Sequence, residues 1–397
     1  MKKNLLELNM KLSSLTVFRE LLSDPVVKAM RSMMNALETK ELQAQVEAYC
    51  DFTAALYQET PDLGVYVNNL VLNDENFYIK EKAKGARISP VVKACLKAEL
   101  SILQDLSQVT SDSVKTVLGY KGFLPDWENS LFDLQYNYKE RILKLPSTGY
   151  GIYAKHKVFH LENGSIAPVK HPDTQSLEQL FGYQRERDLV MKNTEALISG
   201  KTASNMLLYG DAGTGKSSTI KTVCNHYAPK GLRLLEVKKN ELYQIPYIVE
   251  ELSAHPLKFV IFIDDLSFTS NDDNFSALKA ILEGSVSTCG KNTAIYATSN
   301  RRHLVKESMG DRAGDELHLN DTLQETMSLA ARFGLTITYQ KPDKEEYLTI
   351  VKSLAKDYDI EMPEEELLRK AEAHALRCNG RSPRVAKQFV ELQKIGI

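Results

Sequence analysis

A chain of 397 residues is longer than one hydrophobic core usually supports, so two or more domains are expected. Its 50 Lys and Arg against 52 Asp and Glu leave the net charge near zero, which excludes any bulk electrostatic case for nucleic acid or a membrane surface. Cys50, Cys95, Cys224, Cys289 and Cys378 are odd in number, scattered and without a Cys-x-x-Cys pair, so neither a disulfide framework nor a zinc site is expected.

The opening segment MKKNLLELNMKLSSL is basic and then leucine-rich, but Glu7, Asn9 and Lys11 interrupt it before a signal-peptide core forms. Leu5, Leu8, Leu12 and Leu15 recur instead at helical spacing. No apolar stretch approaches the ~20 residues that span a bilayer, and a cytoplasmic protein is expected. Residues up to about Leu143 read as mostly helical, with start signals at Asp24-Pro25 and Ser89-Pro90. Lys80, Lys82, Lys84, Arg87 and Lys93 form a basic stretch; Glu81 and Glu99 dilute it and no aromatic platform is interleaved, which favours a solvated face over a phosphate contact.

From Ser147 to Asp173 the texture changes to aromatic and β-branched residues, with Asn163-Gly164 reading as a hairpin turn and Pro168, His171 and Pro172 as a linker. Beyond it the apolar runs NMLLY, RLLEV, KFVIFID, TAIYAT and LTITY alternate with helix-length segments, which implies crossovers and a parallel sheet. After Pro342 the chain turns helical to Ile397. The expected organisation is a helical domain over 1–146, a β-rich connector over 147–173, an α/β domain over 174–341 and a small helical lid over 342–397.

The segment MLLYGDAGTGKSST carries the chemistry. An apolar strand runs into Gly210, Asp211, Ala212, Gly213, Thr214 and Gly215, followed by Lys216, Ser217 and Ser218 at a helix start. This is the P-loop spacing: glycines let backbone N–H groups approach phosphate, Lys216 reaches the β- and γ-phosphates, and the Ser217 hydroxyl binds Mg²⁺. KFVIFIDDLSF supplies a second arm, because its strand ends in Asp264, placed to hold Mg²⁺, and Asp265, placed to polarise the attacking water. TAIYATSN ends in Asn300, whose amide could hold the lytic water or a γ-phosphate oxygen, or cap the next turn. Arg332, before Gly334, and Arg384, after Ser382-Pro383, could complete charge neutralisation or be ordinary helix-end arginines. No Asn-Lys-x-Asp guanine-reading segment occurs, so adenine is favoured over guanine.

With these residues in this order, the chain from about Asp173 to Ile397 resembles an AAA+ ATPase. More narrowly, FGYQRERDLVMKNTEALISGK, YGDAGTGKSS, FIDDLSF, LKAILEGSV, YATSNRRHL and ARFGLTITY resemble a bacterial AAA+ ATP-binding family of unknown function. The resemblance implies a P-loop NTPase sheet flanked by helices, ATP and Mg²⁺ as ligands, and a head-to-tail homo-oligomer. It further implies that Asn300 is sensor 1, Arg384 sensor 2 on the lid, and Arg332 a finger for the neighbouring subunit's nucleotide. Gly182 and Tyr183 would lie near the adenine. Two departures stand out. Asp265 replaces the usual Glu, and Lys306 to Asp321 form a polar loop between sensor 1 and the finger. The leading expectation is an ATPase that drives conformational change on a protein client. A slow nucleotide switch and a loader in DNA transactions are the alternatives, the latter by analogy alone.

Overall fold

The computed structural model describes residues 1–39, 41–269, 274, 278–282, 292–300, 305–306, 331–378 and 380–396. They fall into two compact units, Met1–Ala154 and Lys155–Ile397. No helix among the described residues is long and apolar enough to cross a membrane.

The first unit is helical: α1 (Lys2–Ser13), α2 (Pro25–Ala36), α3 (Leu42–Glu59), α4 (Leu63–Asn73), α5 (Phe77–Ala83), α6 (Pro90–Ser107), α7 (Ser111–Leu118), α8 (Leu134–Leu143) and α9 (Leu145–Thr148), with α10 (Ile152–Lys155) at the boundary. Both proline start signals hold. Asp24 accepts from the N–H groups of Val26 and Val27 at 3.0 Å each, and Ser89 accepts from Val91 N–H at 3.3 Å. An aromatic cluster of Tyr49, Phe52 and Trp127 anchors the core, with the indole N–H of Trp127 donating to Val109 O at 2.9 Å. Glu99, which looks in the sequence like a surface acid, is only 3 % exposed. Its carboxylate accepts from the backbone N–H groups of Thr16, Val17 and Phe18 at 2.8, 3.0 and 2.9 Å, pinning the chain that leaves α1. It therefore does not dilute the basic stretch. That falls to Glu75 and Glu81, which pair with Lys80 and Lys84.

The second unit opens with a hairpin of β1 (Val158–Glu162) and β2 (Ser165–Pro168), turned at Asn163-Gly164. It continues through α11 (Gln184–Ile198), β3 (Met206–Gly210), α12 (Lys216–Tyr227), β4 (Leu232–Glu236), α13 (Ile245–Ser253), β5 (Lys258–Ile263), β6 (Phe268–Thr269), β7 (Thr293–Ser299), β8 (Val305–Lys306) and β9 (Leu335–Tyr339). Three helices end the chain: α14 (Lys344–Asp357), α15 (Glu364–Arg377) and α16 (Pro383–Lys394). Among the described residues the main sheet has seven strands in the order β2-β1-β4-β5-β7-β3-β9, parallel throughout except for the β1–β2 pair. The apolar runs are strands because helices cover both faces: Phe259 to Ile263 and Met206 to Leu208 are all at most 1 % exposed.

This is the P-loop NTPase α/β fold with a small C-terminal helical bundle and a helical N-terminal unit. One expectation is corrected. The segment read as a β-rich connector is helical up to Lys155, and its hairpin belongs to the sheet, with Val158, Phe159 and His160 of β1 in parallel register with Leu234, Leu235 and Glu236 of β4. The order places β7 between β3 and β5, so the C-terminal ends of these strands lie side by side, where open α/β sheets bind ligands.

Asp74, just after α4, generates a pH prediction. Burial raises its carboxyl from an ordinary 3.8 to about 6; the 2.9 Å hydrogen bond from Asn76 opposes this, and the charges of Glu20 and Glu75 add to it. A raised folded value means the folded state keeps a proton that the unfolded chain has released. The associated stability is present below about pH 4 and lost as pH rises through about 6. Urea unfolding followed by Trp127 fluorescence should show Asp74→Asn more stable than wild type at pH 7, with the difference vanishing near pH 4. Parallel pH profiles for the two proteins would refute the assignment.

Candidate functional site

β3 ends where its neighbour leaves no room for a side chain. Gly210 has φ 138° and pairs with Tyr339, and a Cβ there would lie 2.0 Å from Tyr339 O. The loop is then fastened from within and from β9: Asp211 N–H donates to Tyr339 O at 3.0 Å, the Asp211 carboxylate accepts from Lys341 N–H at 3.0 Å, and the Thr214 hydroxyl donates to Asp211 O at 2.8 Å. Ala212, at the loop's outer turn, is exposed. Gly215, in left-handed conformation, precedes α12, and no side chain caps that helix. The first-turn N–H groups at Lys216, Ser217 and Ser218 are thus left for an anion.

Lys216 is 5 % exposed. Its ammonium donates to Gly210 O at 3.0 Å, Asp211 O at 2.7 Å and Asn300 Oδ1 at 3.0 Å. Burial pulls its pKa below the usual lysine range; Asp211, Asp265 and Asp264 oppose that, and Arg384 adds to it. Asn300 turns its other end to the second acidic residue, with Nδ2 donating to Asp265 Oδ1 at 2.8 Å. A chain Lys216–Asn300–Asp265 therefore joins the ends of β3, β7 and β5. Beside it the Ser217 hydroxyl donates to Asp264 Oδ1 at 2.6 Å. These are hard oxygen donors suited to Mg²⁺. Among the described residues no cluster of three or more His, Cys, Asp or Glu could hold a metal unaided, so an ion at Ser217 and Asp264 would complete its shell with phosphate and water, as Mg²⁺ does.

Next to the loop lies a cleft of about 230 Å³ lined by Gly182, Tyr183, Gly213, Gly215, Ser218, Ile350 and Arg384, among others. Gly182 has φ 77°, and a Cβ on it would come 2.9 Å from Ile350 Cδ1. Tyr183, at φ 53°, stacks on Tyr339 at 5.0 Å and donates its hydroxyl to Gln340 O at 2.6 Å. The terminal helices close on the loop here: Arg384 N–H donates to Gly213 O at 3.2 Å, and Ser382, which caps α16, lies 3.2 Å from where a Gly213 Cβ would be. The structure thus gathers the residues expected near phosphate and base at one end of the sheet, apart from Arg332, which was expected to serve a neighbouring subunit. Arg332 precedes β9, and because β9 pairs in parallel with β3, it lies at the opposite end of the strands from Gly210, with the length of β9, about 13 Å by strand rise, between them. Of the polar loop from Lys306 to Asp321, residues 307–321 lie outside the described residues.

Three contributors were not singled out from sequence. Thr298 joins both acidic residues. Tyr339 braces α12 through a 3.2 Å hydrogen bond to Thr219 Oγ1. Arg187 lines the cleft and donates to Leu180 O and, at 2.6 Å, to Gln184 Oε1. The hydroxyl of Thr298 at a strand end beside two acids was a readable signal; the other two depend on tertiary packing.

Residues 154–395 match the family described as "Protein of unknown function (DUF815)", and the chain belongs to that family. No curated protein matches the sequence. Solved structures similar to it include the RuvB Holliday junction branch migration motor of Thermotoga maritima, at 17 % identity over 55 % of this chain and 66 % of that one, with a TM-score of 0.37. A single-residue variant of the same motor gives 16 % identity, 56 % and 67 % coverage and a TM-score of 0.38.

The close approach at Gly210 is testable without any ligand. Gly210→Ala must move the backbone of β9 as well as strain its own, and should cost about 3 kcal/mol or more. Gly215→Ala, which meets no atom within 4 Å, carries only the backbone strain and should cost about 1 kcal/mol. Thermal melts that rank the two equally would refute the packing argument.

Proposed function

We propose that this member of the family binds MgATP at the cleft and phosphate loop and hydrolyses it in a head-to-tail homo-oligomer, driving conformational change on a protein client. The observation that carries the reading is the hydrogen-bonded chain Lys216–Asn300–Asp265, which gathers a cation from the first turn of α12 with a neutral amide and a carboxylate from two strand ends. Lys216 is held by two backbone carbonyls and an amide oxygen, partners that phosphate oxygens would replace with a net gain in charge complementarity. Ser217 and Asp264 would hold Mg²⁺, which neutralises the β- and γ-oxygens. Asp265 polarises the attacking water, and Asn300 positions it or a γ-oxygen. Among the described residues that line the cleft there is no carboxylate, which suits adenine over guanine, whose ring N–H and amino donors call for an acid.

Arg384, which lines the cleft, adds a cation from the terminal helices. Arg332 lies too far from its own loop to serve it, and an arginine of that kind is useful to a neighbour's nucleotide. Such contacts are heterologous and build rings or filaments. A second reading, a slow nucleotide switch, draws support from Asp265, which is one methylene shorter than a Glu and is already engaged by Asn300.

Three variants separate these roles. Lys216→Ala should weaken MgATP binding at least 100-fold by calorimetry with the melting temperature retained; near-native affinity removes the phosphate-loop assignment. Asp265→Asn should keep binding and lose turnover at least 10-fold. Arg332→Ala should lower turnover with little change in affinity, by up to the ~10³–10⁵ that an arginine finger supplies. Mixing it with Lys216→Ala should restore activity, because one subunit keeps its loop and the other lends its arginine. A concentration-independent rate and no rescue would leave the monomeric switch.

A further inference from the structure

We propose that Thr298 is the positioning residue that gives the two adjacent carboxylates their separate jobs, an inference that rests on the ATPase reading above. Thr298 is 2 % exposed and is the penultimate residue of β7. It grips three successive residues after β5. Its hydroxyl donates to Asp264 Oδ1 at 2.6 Å, its Oγ1 accepts from Asp265 N–H at 3.0 Å, and its carbonyl accepts from Leu266 N–H at 2.7 Å.

The direction of the hydroxyl is fixed by chemistry. A backbone N–H can only donate, so the Thr298 oxygen must accept from Asp265, and its one proton goes to Asp264. Two consequences follow. Asp264 Oδ1 receives three donors, from Ser217, Thr298 and Asp265 N–H at 3.1 Å, while among the described residues its Oδ2 accepts none. When the Ser217 hydroxyl turns to a metal, Thr298 still holds Oδ1, so Oδ2 stays the open oxygen. Asp265, meanwhile, sits at φ 49°, a left-handed backbone that is uncommon outside glycine, Asn and Asp and that hydrogen bonds to the neighbouring peptides stabilise. Thr298 supplies those bonds at both ends of the peptide, and the resulting turn takes the Asp265 side chain to Asn300 rather than to Ser217. One buried hydroxyl thereby sends Asp264 to the metal side and Asp265 to the water side.

The test compares Thr298→Val, which keeps the shape and removes the hydroxyl, with Thr298→Ser, which keeps the hydroxyl. Hydrogen exchange of the nucleotide-free full chain should show the 264–266 amides exchanging at least 10-fold faster in Val than in Ser or wild type. Calorimetry with ATP, in Mg²⁺ and in EDTA, should show that Val keeps metal-free affinity within about twofold but loses at least fivefold of the Mg²⁺ enhancement, and its kcat should fall at least 10-fold while KM rises only by that loss of affinity. Ser should stay within threefold of wild type throughout. Val matching wild type, or Ser failing as badly as Val, overturns the proposal. Wild type that binds no ATP overturns the ATPase reading and the catalytic role with it; that failure is told apart from a wrong Thr298 argument by the exchange arm, where Val and Ser would still differ.

Discussion

Among the described residues no carboxylate hydrogen-bonds the buried Lys216 ammonium, a cation that is costly to bury unless neutral oxygens surround it, and the phosphate end of the sheet is arranged around that requirement. Two of its acceptors are carbonyls of the loop that precedes it, so the loop must curl back on its own lysine. That curl needs left-handed glycines and a strand end pressed against Tyr339. The third acceptor comes from β7, which the sheet order places directly beside β3. The strand order and the ammonium's coordination are therefore one constraint seen at two scales.

The terminal helices join this constraint through backbone as well as through the charge of Arg384. Arg384 N–H on Gly213 O ties the start of α16 to the loop, and Gly182 and Tyr183 take left-handed conformations where the chain passes Ile350 and Tyr339. A change in loop shape is thus felt by α16 through the Gly213 hydrogen bond and by α14 through the close approach of Gly182 to Ile350.

Much of the second unit was legible in sequence. Strands buried on both faces read as unbroken apolar runs, and the phosphate loop's glycines stand where backbone must do what side chains cannot. What escaped was set by partners distant in the chain. The hairpin after residue 155 carried a clear turn signal, yet only its register with Leu234 to Glu236 makes it part of the sheet. Glu99 looked like a solvated acid because nothing local reveals that three backbone N–H groups 81 to 83 residues away converge on it. Arg332 was readable as a helix-end arginine, but its distance from the loop follows only from the direction in which β9 pairs.

The hairpin also decides where load enters the sheet of the second unit. The second unit begins at Lys155, and Lys157 O already accepts from Leu234 N–H of β4 at 3.0 Å. β4 is in turn laced to β5, with Leu234 opposite Val260, and β5 delivers Asp264 and Asp265. The chain of the second unit therefore enters a sheet rung almost at its start. Tension along it loads β1 and β4 in shear, across several hydrogen bonds at a time, and the next strand in the load path is the one that carries both carboxylates.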